Sequence, residues 1–364
     1  MTESLSFAFF GSSLISSYWN GACTYYRGLI RALHGRGHHV TFYEPRAYQR
    51  QEHRDIPDPE WAQVVVYEPS DAAAVRAIVG RARDADIIVK TSGVGVFDDV
   101  LEAAVLDLPG DAMRIFWDVD APATLASMET NADNGLRELI PEYDLILTYG
   151  GGDPVVARYG ALGARRCRPI YNGLDPQTHH PVRAQARYGA DLTLLANRLP
   201  DREQRIREFF FRAASLAPGR SFLLGGNGWI PEAVPANVRC LGHVPTAEHN
   251  TVNCSARVVL NVSRDSMAAN GFSPATRVFE AAGAGACLIT DAWEGIDAFF
   301  APGSELLVAA DGAEVAALME NLDDRRAREI GAAARDRAVA EHTYDQRAEL
   351  VEALVLDAPT GARA

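Results

Sequence analysis

The sequence is poor in lysine and cysteine. Among its 364 residues are 35 basic ones, and Lys90 is the only lysine. A pyridoxal enzyme forms a Schiff base with a lysine, so only Lys90 could serve such a cofactor. The five cysteines are scattered without a CxxC pair. This distribution is typical of reduced thiols and argues against a disulfide framework or a zinc site.

The chain also lacks an excess of positive charge and a long apolar run. Its formal net charge of -13 at pH 7 disfavours general binding to nucleic acids or anionic membranes, so local cations must hold any anionic ligand. No stretch approaches the roughly 20 apolar residues that span a bilayer. The first residues, MTESLSFAFFGSS, carry no basic segment ahead of their short apolar run, as a secretory signal would. We therefore expect a cytoplasmic protein without a transmembrane segment.

What the sequence does contain is an alternation of apolar runs with helical patterns. The runs include LSFAFFG, QVVVYEP, ADIIVKTSG, RIFWDVD and DLILTYGGGD, and later DLTLLAN, SFLLGGNG, RVVLNVSRD and CLITD. Apolar strands that alternate with helices predict βα units and parallel sheets. A proline-rich stretch, RPIYNGLDPQTHHPV, interrupts the alternation and is typical of a linker.

This organisation predicts an α/β protein with two Rossmann-like, doubly wound domains that face a cleft. We expect the first domain at residues 1–170, the linker at 171–182 and the second domain at 183–342. The helical residues 343–364 are expected to pack back on the first domain. In doubly wound sheets ligands gather at the carboxyl ends of strands, so polar residues that follow the strands are candidates for binding.

Residues 271–290, GFSPATRVFEAAGAGACLIT, predict a turn, a short helix and a strand. Ser273 is a favourable N-cap and Pro274 suits the first helical position, so the helix is expected to begin at residue 274. Gly271 allows a ligand to approach the backbone closely, and the free N–H groups of a helix start attract anions. This segment therefore predicts a phosphate site.

Glu280 lies two turns further along the same predicted helix. At about 1.5 Å per residue it would be about 9 Å from the phosphate-binding end, which is roughly the distance of a ribose. A carboxylate can accept hydrogen bonds from both ribose hydroxyls. The alternative is an exposed ion pair between Arg277 and Glu280, worth about a few tenths of a kcal/mol.

Four stretches of the sequence carry a more specific pattern, namely VVLNVSRDSMAANGFSPATRVFEAAGAGACLITDAWEGIDAFFAPGSELLVA, GHVP, YNGLDP and EHTYDQRAELV. Together they resemble the GT-B glycosyltransferases, and most closely the CgeB-type, spore-maturation branch of the group-1 enzymes. The resemblance implies that the carboxyl-terminal domain binds a nucleotide-sugar and the amino-terminal domain binds the acceptor. It further implies that Glu280 holds the donor ribose and that the turn from Gly271 to Pro274 faces the diphosphate.

The chain departs from this pattern in two places. Many group-1 enzymes have a second glutamate eight positions before the first, and this position is Phe272 here. Relatives often place an arginine and a lysine after the first strand of the second domain to bind the diphosphate. This chain offers Arg198 there but no lysine, and Arg202 and Arg205 are the available substitutes. An arginine fork binds phosphate with a geometry different from that of an ammonium group.

The remaining donor-side candidates follow strand ends or lie on the predicted helix. Gly225 and Gly226 expose backbone to a ligand or only satisfy a turn, and the backbone at Val244 could contact a base. The full set of predicted donor-binding residues is Ser12, Ser13, Arg198, Gly225, Gly226, Asn227, His243, Val244, Arg264, Gly271, Phe272, Ser273, Thr276, Arg277 and Glu280. Arg198 is also expected to assist departure of the diphosphate.

Candidates for the acceptor side lie in the first domain. Tyr18 and Trp19 could stack on a sugar, although aromatic residues at helical spacing more often belong to a core, and Lys90 follows a strand. Asp118 and Asp120, two residues apart at a strand end, are candidate catalytic bases. Such an Asp-x-Asp pair binds a metal in another class of glycosyltransferases. Here we expect no metal site, because enzymes of the GT-B kind use helix dipoles and cations instead.

Three functions are compatible with the sequence. The first is a glycosyltransferase that moves a sugar from a nucleoside-diphosphate carrier, expected to be a UDP-sugar, to a hydroxyl or other nucleophile of an acceptor, without a cofactor. The second is a nucleotide-sugar 2-epimerase, which shares the architecture but needs no acceptor. The third is a nucleotide-sugar-binding protein that has lost catalysis. A dinucleotide-dependent oxidoreductase is less compatible with the sequence than these three, because FFGSS lacks the G-x-G-x-x-G spacing.

Overall fold

A computed structural model describes residues 4–18, 20–131 and 133–357, and for residue 201 only the backbone. The chain divides into two compact units. The first unit is formed by Met1–Tyr171 together with Tyr344–Ala364, and the second by Asn172–Thr343. In the described part of the chain, no helix is both long enough and apolar enough to cross a membrane.

The first unit is built on a parallel sheet. Its strands are β1 (Ser6–Phe10), β2 (His39–Pro45), β3 (Gln63–Tyr67), β4 (Ile87–Thr91), β5 (Met113–Asp118), β6 (Leu145–Thr148) and β7 (Cys167–Pro169). The described strands are hydrogen-bonded in the order β3-β2-β1-β4-β5-β6-β7. The intervening helices are α1 (Cys23–Gly35), α2 (Ala72–Val79), α3 (Asp98–Leu106), α4 (Ala121–Thr130), α5 (Gly135–Leu139) and α6 (Gly152–Ala161).

Strand β1 shows why this sheet is buried on both faces. Phe7 and Phe9 point into one core cluster, and Ala8 and Phe10 point into the other, as the period of two along a strand requires. A parallel sheet covered by helices on both sides needs such continuous apolar strands. The apolar runs of the sequence therefore form the central strands.

The second unit repeats this design with a smaller sheet. Its strands are β8 (Ala190–Leu195), β9 (Phe222–Gly225), β10 (Val238–Gly242), β11 (Ala256–Asn261), β12 (Cys287–Asp291) and β13 (Leu307–Ala309). In the described residues they pair in parallel in the order β10-β9-β8-β11-β12-β13. Its helices are α7 (Pro200–Ile206), α8 (Arg212–Leu216), α9 (Thr246–Ser255), α10 (Asp265–Asn270), α11 (Thr276–Gly283), α12 (Gly312–Asn321) and α13 (Asp324–Glu341). The predicted fold class, two doubly wound parallel α/β sheets, is confirmed.

The last helix, α14 (Tyr344–Leu356), belongs to the first unit and packs on α1. Ala348, Val351 and Val355 of α14 lie in the same core cluster as the apolar face of α1. Buried Glu352 forms an ion pair with Arg36. The close approach depends on Gly28, because a Cβ atom at this position would overlap the ring of Tyr344.

We predict that Gly28→Ala destabilises the protein by about 1 to 3 kcal/mol, because the Tyr344 ring is buried and must shift to make room. Gly35→Ala, at the end of the same helix, is the matched control, because a Cβ atom there meets no atom within 4 Å. Urea unfolding of both variants tests the prediction. Equal stability of the two variants would contradict the account of how α14 is held.

Candidate functional site

The carboxyl ends of strands β8 to β11 carry most of the predicted donor-binding residues. Hydrogen bonds join the loops that follow the first three of these strands. Gly226 N donates to the Gly242 carbonyl at 2.7 Å, and Arg198 N donates to the Asn227 carbonyl at 2.9 Å. Gly226 has a φ of 135°, and a Cβ atom there would overlap the Ala196 backbone. This glycine is therefore required by the close packing of two loops.

The turn before α11 is held by contacts that the sequence did not reveal. Gly271 and Phe272 have φ angles of 67° and 43°, and Phe272 N donates to the Glu294 carbonyl at 2.6 Å. The Ser273 hydroxyl donates back to the Gly271 carbonyl at 2.8 Å. The left-handed conformation at two successive residues reverses the chain, so that α11 begins beside the strand ends.

The structure corrects the predicted start of this helix. It begins at Thr276, with Ala275 as an N-cap in extended conformation, rather than at Pro274. The Asn172 side chain causes the shift, because its amide donates to the Pro274 carbonyl at 3.0 Å and its oxygen accepts from the Thr276 hydroxyl at 3.0 Å. Ser273 is consequently not the cap. Asn172 joins the turn to the first turn of the helix.

Helix α11 buries one side and leaves two charged residues half-buried on another. Val278, Phe279 and Ala282 are buried, and the Phe279 ring packs against Phe300 with ring centroids 5.8 Å apart. Arg277 and Glu280 are of intermediate exposure. Among the described residues, no hydrogen bond or ion pair reaches either of these two side chains. The simple ion pair considered from the sequence is therefore absent from the described structure.

Arg277 carries a positive charge in an unfavourable environment. Its pKa is lowered from 12.5 to about 10, mainly by burial and also by the nearby Arg202 guanidinium, while Glu280 partly opposes the shift. Two guanidinium groups held close together raise the local positive potential. The arrangement can stabilise an anion that enters beside α11.

Two other arginines near the strand ends, Arg198 and Arg205, are already paired with carboxylates. The Arg198 Nε atom donates to the Glu203 carboxylate at 2.7 Å. Arg205 donates to buried Asp291 at 2.6 Å and lies 3.3 Å from Asp265. One turn of π-helix, Arg207–Phe211, joins α7 to α8 just after these arginines. Arg264 is half-buried and directly precedes α10.

The predicted base-binding loop follows β10. His243 is exposed, whereas Val244 is buried in an apolar cluster with Leu195, Leu223 and Val252. The Val244 side chain packs into this cluster and so anchors the loop that follows β10. Asn227 N donates to the Asn197 side chain at 2.9 Å, which orders the neighbouring loop.

Two histidines near Glu280 were not recognised from the sequence. His249 on α9 lies 3.1 Å from the Val244 carbonyl through its Nε2 atom. His179 is only 7% exposed, and its Nε2 atom is buried without a hydrogen bond. Neither histidine belongs to a spaced motif, and their proximity arises only when α9 and α11 pack together.

In the first unit the predicted residues differ in accessibility. Asp118 is fully buried and accepts hydrogen bonds from Ser92, Thr124 and Tyr159 at 2.5 to 2.9 Å. Burial raises its pKa. We therefore do not retain Asp118 as a base, because an acceptor hydroxyl could not reach it. Asp120 is half-buried and directly precedes α4, so it remains the candidate.

Lys90, Ser12 and Ser13 are likewise buried within the first unit. The Lys90 ammonium group donates to Asp98 at 2.7 Å and lies 3.6 Å from Glu102. This pairing corrects the expectation that Lys90 binds an acceptor. The Ser12 hydroxyl donates to Asn20 at 3.0 Å, and the Ser13 hydroxyl accepts from Ser16 N at 3.2 Å. Both hydroxyls order their own loop rather than a ligand.

Of the two predicted aromatic residues, the structure describes Tyr18. Tyr18 is half-buried and stacks on His53 with ring centroids 4.0 Å apart. Trp19 lies outside the described residues. In residues 4–18, 20–131 and 133–357, no three His, Cys, Asp or Glu side chains form a group that could hold a metal ion.

Residues 202–353 match a family described as glycosyl transferase-like. No curated protein matches the sequence.

Solved structures share the fold across both units. Sucrose-phosphate synthase from Thermosynechococcus elongatus is 15% identical, with a TM-score of 0.70 over 96% of this chain and 98% of that one. HepE from Anabaena, in complex with UDP and glucose, is 13% identical, with a TM-score of 0.68 over 97% of this chain and 99% of that one. An alpha-glucosyltransferase in complex with UDP and a 13-mer DNA is 11% identical, with a TM-score of 0.70 over 98% and 100% of the chains. The fold is therefore that of the GT-B glycosyltransferases.

The electrostatics of the second unit predict different effects on stability for Arg277 and Arg205. Arg277→Met should leave the melting temperature unchanged or raise it slightly, because the variant removes a desolvated cation with no hydrogen-bonded partner in the described structure. Arg205→Met should cost about 2 kcal/mol, because buried Asp291 loses its counter-charge. Thermal unfolding of the two full-length variants measures both effects. A strong loss of stability in Arg277→Met would show that Arg277 is structural.

Proposed function

We propose that this chain, a glycosyl transferase-like protein of the GT-B fold, transfers a sugar from a nucleoside-diphosphate carrier to a hydroxyl or other nucleophile of an acceptor. The observation that carries the proposal is the pair Arg277 and Glu280 on α11. The two side chains are half-buried and opposite in charge, yet no ion pair joins them in the described structure. Each is thus available to a ligand that has both hydroxyl and phosphate groups.

Glu280 is the proposed ligand of the donor ribose. Its carboxylate lies one helical turn beyond Arg277, which places the two groups about 4.5 Å apart along the helix axis. A carboxylate accepts charge-assisted hydrogen bonds from two vicinal hydroxyls. A nucleoside diphosphate that presents its ribose to Glu280 would therefore direct its phosphates towards Arg277 and the start of α11.

Arg277 and Arg202 are the proposed cations for the diphosphate. The sequence offered Arg198, Arg202 and Arg205 in place of a lysine, but Arg198 and Arg205 each donate to a carboxylate. Arg202 has contacts of its own, and its guanidinium lies close enough to Arg277 to lower the pKa of Arg277. A diphosphate between these two guanidinium groups would relieve their repulsion. Arg264 and the turn from Gly271 to Ser273 complete the proposed phosphate environment.

The chemistry follows from this placement. The acceptor oxygen attacks the anomeric carbon, the bond between that carbon and the diphosphate oxygen breaks, and the diphosphate leaves with the electron pair. The proton of the acceptor passes to a base, for which Asp120 is the candidate, or to the leaving diphosphate. Cations and helix dipoles that stabilise the departing charge lower the barrier. We assign the acceptor to the first unit, where Tyr18 and Trp19 are candidate contacts.

A UDP-sugar is the proposed donor, and the CgeB-type branch is the proposed subfamily. Complexes of HepE with UDP and with UDP-glucose support uridine as the base. The stretch around Arg277 and Glu280 supports the CgeB-type assignment. We further propose action in the cytoplasm, since all five cysteines are free thiols, which suits a reducing compartment.

Replacing Glu280 by alanine should raise the dissociation constant of UDP-glucose by about tenfold or more, since a charge-assisted hydrogen bond contributes about 1.5 to 3 kcal/mol. Titration calorimetry measures the change. Glu320→Gln is the matched control, because Glu320 is exposed on α12 of the same unit. Unchanged affinity in Glu280→Ala would refute the ribose assignment.

Products formed from the donor alone separate the alternative functions. A transferase releases UDP and free sugar slowly by hydrolysis, and turns over faster when a suitable acceptor is added. An epimerase instead yields an isomeric nucleotide-sugar. Binding of UDP-glucose without any product over a broad panel of acceptors would favour a protein that has lost catalysis. Chromatography of radiolabelled UDP-glucose distinguishes the three outcomes.

A further inference from the structure

His249 links the two parts of the proposed donor site. It lies on α9, and its Nε2 atom is 3.1 Å from the Val244 carbonyl. A carbonyl oxygen only accepts hydrogen bonds, so Nε2 carries the proton of this contact. The ring thus holds the backbone of the loop after β10, which is the segment expected to contact the base.

The other surroundings of His249 are charged or titratable. The imidazole interacts electrostatically with Glu280 and Arg277 of α11 and with His179, which lies in the segment before β8. His179 packs against α11. A Cβ atom added to Gly283 of this helix would lie 2.8 Å from the His179 carbonyl oxygen. His249 contacts the base-binding loop directly, and its helix α9 packs against α11, which carries the proposed ribose ligand.

We propose that His249 is a positioning residue for the nucleotide-sugar, which in its neutral form fixes the Val244 carbonyl and leaves Glu280 free for the ribose. When protonated, the ring would attract the Glu280 carboxylate and compete with the ribose hydroxyls. This inference rests on the proposed function. It adds a residue that the sequence pattern did not indicate and a direction for the pH dependence of donor binding.

The sign of the pH dependence follows from the environment of the ring. Burial lowers the pKa of His249 below its usual value of 6.5, and Arg277 and His179 act in the same direction, against Glu280 and the Val244 carbonyl. The neutral form therefore dominates at neutral pH. Donor affinity should be fully present above pH 6.5 and should fall as the pH decreases through the pKa of His249.

UDP-glucose is the appropriate probe, because neither of its phosphates has a proton that titrates between about pH 5 and pH 8, unlike the terminal phosphate of UDP. Calorimetric titrations of the full chain at about pH 7.5, 6.5 and 5.5 give the dissociation constant for each variant. His249→Gln keeps an N–H donor without a titrating group, and His249→Leu removes the donor. His180→Asn is the control, because that side chain is exposed in the same unit.

The wild type and His180→Asn should lose affinity progressively as the pH decreases from about 7.5 to about 5.5. His249→Gln should bind within about threefold of the wild type at pH 7.5 and should show little change with pH. His249→Leu should bind about tenfold more weakly than the wild type at about pH 7.5, as loss of one hydrogen bond to a fixed loop suggests, and should also show little change with pH.

Three results would overturn the inference. The first is a pH-independent affinity in the wild type, and the second is an unaltered acid loss in His249→Gln. The third is an acid loss that disappears in His179→Gln but persists in His249→Gln, which would assign the effect to the other buried histidine. Should the wild type fail to bind UDP-glucose at any pH, the proposed donor itself is wrong, which is a separate outcome from failure of the role of His249.

Discussion

The second unit holds a cation that its described contacts leave without an ion pair. Arg277 lies half-buried on α11 beside a second guanidinium, and both effects lower its pKa. A fold gains nothing from such an arrangement, since desolvation and repulsion both destabilise the charge. Strongly perturbed groups of this kind are typical of binding and catalytic sites, where a ligand supplies the missing counter-charge. In the proposed function, a diphosphate supplies this counter-charge.

The rest of the unit fixes the position of this cation. Asn172 bonds to both the turn and the first residue of α11, and Phe279 anchors the helix in an aromatic cluster. The Gly271 and Phe272 backbone turns the chain so that the helix starts at the strand ends. Rigid placement reduces the cost of ordering the site when a ligand binds. Arg277 and Glu280 thus keep their spacing through the backbone and not through a bond to one another.

Features that depend on residues close together in the sequence could be predicted. The alternating apolar runs gave the two parallel sheets, because strand burial on both faces leaves a strong pattern. The segment around Arg277 and Glu280 was recognised because its turn, helix and strand are continuous. The start of α11 was misplaced by two residues, since the deciding side chain, Asn172, is 104 positions away from Thr276.

Residues whose role depends on distant partners could not be predicted. Asp118 was expected to act as a base at a strand end, but Tyr159 and Ser92 donate hydrogen bonds to its buried carboxylate. Lys90 was expected to bind an acceptor, but its ammonium group forms ion pairs with Asp98 and Glu102 of α3. His249 carried no signal, because its hydrogen bond with Val244 and its electrostatic interaction with Glu280 exist only in the folded structure. Burial and pairing are tertiary properties, and they decide which polar residues remain available for chemistry.

A crystal structure of the protein with bound UDP-glucose tests the central claim most directly. The account predicts that both ribose hydroxyl oxygens lie about 2.5 to 3.0 Å from the Glu280 carboxylate. It also predicts that a phosphate oxygen lies within hydrogen-bond distance of the Arg277 guanidinium. A nucleotide bound elsewhere, or bound with Glu280 and Arg277 turned towards protein groups, would contradict the account.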